Sequence, residues 1–284
     1  MGKVSEQWDL VIEPRSKWYD LRLKAIWNYR DLLLLFVKRD FISTYKQTIL
    51  GPVWFLIQPI LTTLTFTVIF GNLAKISTDG IPAPLFYLTG LTLWTYFADC
   101  LTKTSDTFTM NANVFGKVYF PRIVMPLSVV LSNLVKLGVQ FLLFISFWIY
   151  YYFIKGVDLH PNIAIVIVPF LMILMGALGL GFGMIISAMT TKYKDLRFLV
   201  GFGVQLLMYA TPVVYPLSIV SDKYKWMILA NPMTGIIEAF KYAFLGTGEF
   251  HWNHIAYSTG VALVMVTLGL VIFNRVEKSF MDTV

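Results

Sequence analysis

Charge is what this 284-residue chain has least of: 14% of its residues are Asp, Glu, Lys or Arg, against about 25% in a soluble domain. It has one cysteine, Cys100, which excludes an intrachain disulfide and a cysteine-based zinc cluster. Its three histidines, His160, His251 and His254, lie in or beside expected loops, and no metal-ligand spacing is present. A phosphate-binding loop is missing too. Gly116-Lys117 comes nearest, but Asn111 stands where the first glycine of that pattern belongs, and Val118 where Ser or Thr belongs. Nor does the chain open with the basic segment, apolar run and small-residue cleavage site of a secretory signal. No cofactor is expected in the chain itself, and no Ser/His/Asp arrangement suggests nucleophilic catalysis.

What is abundant is apolar surface. Hydrophobic residues make up 57% of the chain and aromatics 16%. That composition predicts an all-α membrane protein in which the bilayer replaces a large buried core. The net charge of +7 is better explained by cytoplasmic loops facing anionic lipid than by nucleic acid.

The chain divides into residues 1–50, a transmembrane domain over 51–275, and a short tail over 276–284. In the first segment Trp8, Leu10, Trp18, Leu21, Ala25 and Ile26 alternate with Arg15, Lys17, Arg22, Lys24 and Arg30. This reads as an amphipathic helix lying in the membrane interface, or as a solvated helix packed on a partner. The run from Asp31 to Val37 is too short to span and continues as helix toward Tyr45. Six spans follow, at 51–73, 85–101, 123–153, 163–189, 198–214 and 255–273. Pro52 suits a first helical turn and Pro59 is expected to kink span one. Span three ends in Phe147, Trp148, Tyr150, Tyr151, Tyr152 and Phe153, the composition of an interfacial belt. Between spans five and six, Ile236–Leu245 is too short to cross. It is expected to be a re-entrant or interfacial helix on the outer face.

Six spans place both termini on one side. On that side fall nine Lys/Arg in residues 1–50, three in 102–122, three in 190–197 and two after span six, Arg275 and Lys278. The result is 17 against five on the other side, with Lys136 inside span three. The positive-inside rule then puts both termini in the cytoplasm.

Within the spans, Asn133, Lys136 and Gln140 share one helix face. They form either a polar stripe facing a vestibule or neighbour, or a lysine snorkelling to the interface. Gln58, Thr62 and Thr65 share another face, and Gln205 and Tyr209 are spaced i, i+4. Either set could line a conduit for a hydroxyl-rich substrate or bond back to its own helix. Gly176, Gly179, Gly183 and Ser187 make a small-residue face for close helix packing. Asp99, Asp106, Asp195 and Glu238 are scattered, and Glu238 with Lys241 reads as an i, i+3 ion pair. With no nucleotide site and one clear mid-membrane ionisable group, the energy source is expected in a partner.

Four segments together resemble ABC type-2 transporter permeases of the polysaccharide-export branch. They are RDFISTYKQTILGPVWFLIQP (39–59), FGKVYFPRIVMPLS (115–128), YKDLRFLV (193–200) and TPVVYPLSIV…NPMTGIIEAFKYAFLG (211–246). The resemblance covers roughly residues 30–275, in order. It implies a homodimer of six-span subunits in a bacterial inner membrane, with two copies of a separate cytoplasmic ABC ATPase that binds ATP and Mg. It implies export of a lipid-linked polysaccharide such as O-antigen, capsule or teichoic acid. By this resemblance, residues 102–117 hold the ATPase-docking helix, with Lys103, Thr104, Asp106, Asn111, Asn113 and Lys117. Spans one, two and five line the channel, with Gln58, Thr62, Thr65, Phe66, Tyr87, Trp94, Gln205 and Tyr209. The segment 215–244 closes the outer mouth, with Tyr215, Pro216, Asn231, Pro232, Glu238 and Lys241. Lys241 stands where the family pattern leads us to expect Arg. The alternatives are an exporter of a small lipid or drug, a membrane-embedded glycosyltransferase, and a structural scaffold.

Overall fold

The structure, a computed structural model, describes residues 27–46, 48–115, 120–193 and 195–280, without the side chains of 44, 45, 112, 113 and 277–280. Most of the expected N-terminal amphipathic helix, Lys117 and the tail beyond 280 lie outside the described residues. Within them every regular element is helical. α1 is Arg30–Tyr45. A single 3-10 turn, Gly51–Val53, leads into α2 (Trp54–Phe66), which passes into a π-helical stretch at Thr67–Leu73. Then come α3 (Ala83–Ser105), α4 (Thr107–Met110), α5 (Ala112–Phe115) and α6 (Val124–Ile149, extended as π-helix to Ile154). α7 (Val168–Thr190) starts from a 3-10 turn at Ile163–Ile167 and is followed by α8 (Leu196–Tyr209), α9 (Asp222–Leu229), α10 (Pro232–Leu245) and α11 (Trp252–Phe280).

Among the described residues, four continuous helical stretches are long and apolar enough to cross a bilayer: Gly51–Leu73, Val124–Ile154, Ile163–Thr190 and Trp252–Val276. α3 is as long, at 23 residues, but 16 of these are buried, including Thr89, Thr92 and Thr104. It sits in the middle of the bundle, where α2, α6, α7, α8 and α10 all reach it. Its polar side chains are thereby covered by protein rather than lipid.

The seam between α3 and α7 depends on glycine. A Cβ built on Gly176 would lie 2.5 Å from the Tyr96 hydroxyl, one on Gly179 would lie 2.6 Å from Cys100 Cβ, and one on Gly183 would lie 2.5 Å from Thr104 Cβ. α11 presses on another side of α7 at Gly181, whose Cβ would come within 2.7 Å of the Met265 backbone. Close approach without side chains is how helices associate where no hydrophobic force separates lipid from protein.

α8 is shorter than expected. It ends at Tyr209 rather than Val214, because Pro212 has no N–H to donate and disfavours helix at the residue before it. The chain then turns inward. Residues 211–214 are buried, and Val213 O lies 2.8 Å from where a Cβ on Gly90 would be. α10 is bounded by local signals. Asn231 Oδ1 accepts from Met233 N–H at 3.0 Å, Pro232 occupies the first turn, and Gly246 closes the helix at φ +73°. Twelve of its 14 residues are buried.

Hydrogen bonds sort the connections into two ends. At one end Thr190 Oγ1 donates to Ser105 O and Arg197 meets Asp106, while Leu33 and Phe36 of α1 join Phe108, Phe115, Phe120 and Phe273 in a separate apolar cluster. At the other end Ser218 donates to Asp79, Asn162 donates to Tyr242 O, and Lys225 pairs with Glu249.

We predict that Gly183→Leu lowers stability by about 1–3 kcal/mol or more, as overpacking a seam does. Gly138→Ala, with nothing within 4 Å of its added Cβ, is expected to be neutral or slightly stabilising. Thermal unfolding of the two purified variants in detergent checks both.

Candidate functional site

The bundle carries a cavity of about 730 Å³ at the end that holds α1, α4 and α5. Its walls come from α1 (Arg39, Asp40), the start of α2 (Trp54, Gln58), the last turn of α3 (Lys103), Asp106 just after it, Asn111, and the first half of α6 (Ser132, Asn133, Lys136). Lys136 Nζ donates to Asp99 Oδ2 at 2.7 Å, and Lys103 Nζ donates to Asn133 Oδ1 at 2.9 Å. Asp99 and Lys103 are one turn apart on α3. Asn133 and Lys136 are three residues apart on α6, so two rungs cross between the helices. Lys136 is therefore not snorkelling: its charge is met inside the bundle. Asp99, one of the carboxylates scattered along the sequence, is its partner. Two opposite charges on consecutive expected spans were the available signal.

The expected docking residues with described side chains divide, three lining the cavity and one buried. Lys103, Asp106 and Asn111 line the cavity. Asp106 Oδ2 accepts from Arg197 Nε at 2.9 Å. Burial pushes its carboxyl upward from the ordinary range, and the Arg197 guanidinium opposes that shift. Asn111 donates to Thr107 O. Thr104 is fully buried against Gly183 and has no surface to offer a partner. For Asn113 only the backbone, in α5, is described.

Among the expected channel residues, Gln58, Thr65, Gln205 and Tyr209 are exposed on α2 and α8, while Thr62 and Phe66 are half-buried. The Thr62 and Thr65 hydroxyls donate to the carbonyls of Gln58 and Leu61, four residues back, which is how threonine satisfies itself in a helix. Tyr87 and Trp94 are buried core residues, packed with Phe66, Phe70, Phe86 and Phe97. Their position follows from that of α3 at the centre of the bundle.

The expected outer-gate residues do converge, at the far end. Lys241 and Glu238 pair at 3.3 Å, and both are almost wholly buried. Lys241 Nζ also donates to Pro212 O at 2.6 Å and lies 4.3 Å from the Phe86 ring centroid. Glu238 Oε2 accepts from Glu249 N–H at 3.3 Å. Asn231 Nδ2 donates to Thr211 Oγ1 at 2.7 Å. α10 is thus fastened at two points to the unwound segment that follows α8. Pro216 is buried in that segment and Tyr215 half-buried. What reads in sequence as a simple helical ion pair is a buried charge network, which sequence spacing alone does not distinguish. Among the described residues, no three His, Cys, Asp or Glu side chains come together as metal ligands.

The motifs, the central polar helix and the paired ends all point one way, and comparison with known proteins decides it. Residues 31–245 match the family model described as ABC-2 type transporter. This chain belongs to the ABC-2 type transporter family. The permease is 30% identical over 254 residues to the O-antigen export system permease protein RfbA of Klebsiella pneumoniae, covering 89% of this chain and 94% of that protein. It is 24% identical to RfbA of Myxococcus xanthus over 92% of this chain and 98% of that protein. It is 20% identical to the polysialic acid transport protein KpsM of Escherichia coli over 86% and 93%. The ABC-2 permease is accordingly an integral membrane protein.

Removing Lys241 alone leaves Glu238 as an uncompensated buried charge. Lys241→Met is expected to cost about 3–5 kcal/mol. Glu238→Gln combined with Lys241→Met should recover most of that loss, which thermal unfolding of the single and double variants measures.

Proposed function

We propose that this permease is the channel-forming subunit of an ATP-driven exporter of lipid-linked polysaccharide, of the O-antigen kind. It works as a homodimer with two copies of a cytoplasmic ABC ATPase in a bacterial inner membrane. The observation that carries this reading is similarity along nearly the whole chain to two permeases named for O-antigen export. The chain itself supplies transport and no hydrolysis; ATP and Mg belong to the partner.

In this reading the bundle has six spans. α3 is the second, too polar for lipid but shielded by its neighbours. α8 is the fifth, and its 14 residues rise about 21 Å, short of a ~30 Å hydrocarbon core. The segment 210–216, buried over 211–214, completes the crossing. α9 and α10 then lie on the outer face, and α10 re-enters only as far as protein covers its ends. The charge count of 17 against five places both termini in the cytoplasm. The ATPase docks at α4 and α5.

Motion at the docking end has a physical route. Asp106 joins α4 to Arg197 of α8, and Thr190 joins α7 to Ser105. At its other end α8 runs into Thr211 and Pro212, held by Asn231 and Lys241. One helix therefore connects the ATPase side to the outer helices. The exposed faces of α2 and α8, with Gln58, Thr65, Gln205 and Tyr209, are the surfaces a second copy would meet around a shared conduit.

Deleting the gene is expected to remove surface polysaccharide and leave lipid-linked polymer inside the cell, and the tagged permease should co-purify with an ATPase lacking membrane spans. Purification without such a partner, together with normal surface polysaccharide, would contradict the proposal. Asp106→Lys is expected to leave insertion intact while uncoupling ATP hydrolysis from export in reconstituted vesicles.

A further inference from the structure

The cavity between α1, α2, α3 and α6 has an imbalance of charge. Arg39 pairs with Asp40, Lys136 with Asp99, and Arg197 with Asp106. Lys103 also faces the cavity, and among the described residues its hydrogen-bond partner is the neutral Asn133 amide. Asn133 is itself buried and its amide is uncharged, so it holds the lysine without neutralising it. One positive charge is left over, with N–H donors on Lys103 and a Gln58 side chain lining the same cavity. Trp54, Phe55, Met125 and Val129 add apolar lining. The volume, about 730 Å³, is that of a ligand site, which runs from about 300 to 1,000 Å³. A compact anion beside an apolar wall at a membrane-facing end is the chemistry of a phosphorylated amphiphile. A phosphoryl group has enough oxygens to accept from donors on several sides at once.

We infer that this cavity binds the phosphate or diphosphate headgroup of an amphiphile, with Lys103 as the principal anchor and Lys136 and Gln58 as further donors. The inference rests on the proposed export reading for its direction, since a lipid-linked polymer presents such a headgroup at the cytoplasmic end. The binding chemistry is shared by two sources, the lipid carrier of the polymer and an ordinary anionic phospholipid.

The test uses the full permease–ATPase complex in nanodiscs of zwitterionic lipid, and measures binding of a labelled short polyprenyl diphosphate. Lys103→Gln is expected to weaken binding at least about tenfold, as loss of a charge-assisted contact does, and Lys103→Arg to retain most of it. Lys155→Gln makes the same charge change at the opposite end and should leave binding unaltered. Competition identifies the source. Displacement by unlabelled polyprenyl diphosphate but not by phosphatidylglycerol assigns the site to the carrier lipid, and equal displacement by both assigns it to membrane phospholipid. Either result supports a phosphoryl site. Binding that is unchanged in Lys103→Gln, or absent in the unaltered complex, overturns it. Export is read separately in cells. Binding unchanged in Lys103→Gln, with surface polysaccharide lost on deletion of the gene, removes this site alone, and Lys103-dependent binding with normal surface polysaccharide on deletion removes the transport reading instead.

Discussion

A helix with polar side chains along its length cannot face hydrocarbon, and the rest of this bundle is arranged around that constraint. α3 carries Thr89, Thr92, Asp99 and Lys103, and an unpaired polar group in lipid costs several kcal/mol. It therefore takes the centre, with α6 supplying partners for its charges and α7 supplying a glycine seam close enough to exclude lipid. The apolar outer helices can then be ordinary. α2 and α8 reach α3 along one side and leave most of their residues exposed or half-buried.

The same constraint shapes both ends. At one end the chain gathers charge around a cavity, with each carboxylate matched to a cation and Lys103 left over. At the other, Glu238 and Lys241 are drawn almost fully out of solvent and kept there by the Pro212 carbonyl and the Phe86 ring. A buried pair of this kind adds little net stability compared with apolar packing. It does fix where α10 sits relative to the end of α8. α8 connects the two ends, through Arg197 at one and the unwound 210–216 segment at the other.

Much of the architecture was legible from sequence, and the reasons for the rest are physical. Four of the expected spans appear within a few residues of their predicted limits, because long apolar runs are a strong signal. Span two also appears as a helix, yet its central position was not visible, since periodicity reports a helix and not its neighbours. That is why Tyr87 and Trp94, expected at a channel wall, are packed in the core. The end of span five was missed by five residues, although Pro212 was in plain view, because the apolar run continues through Val214. The Asp99–Lys136 pair joins residues 37 apart on different helices. It needed the crossing of α3 and α6 to be known. By contrast, the caps of α10, Asn231-Pro232 and Gly246, were readable as they stand.

The central claim is that the two ends have different duties, one cytoplasmic and facing an ATPase, the other outer and closing the conduit. Cysteine labelling tests it directly, because the one native thiol, Cys100, is buried. Thr109→Cys on α4 and Lys223→Cys on α9 both place a new thiol at an exposed position. In intact cells producing this chain without its ATPase, a membrane-impermeant maleimide is expected to label Lys223→Cys at once and Thr109→Cys only after permeabilisation. Labelling of Thr109→Cys in intact cells, or of both positions from the same side, would contradict the account.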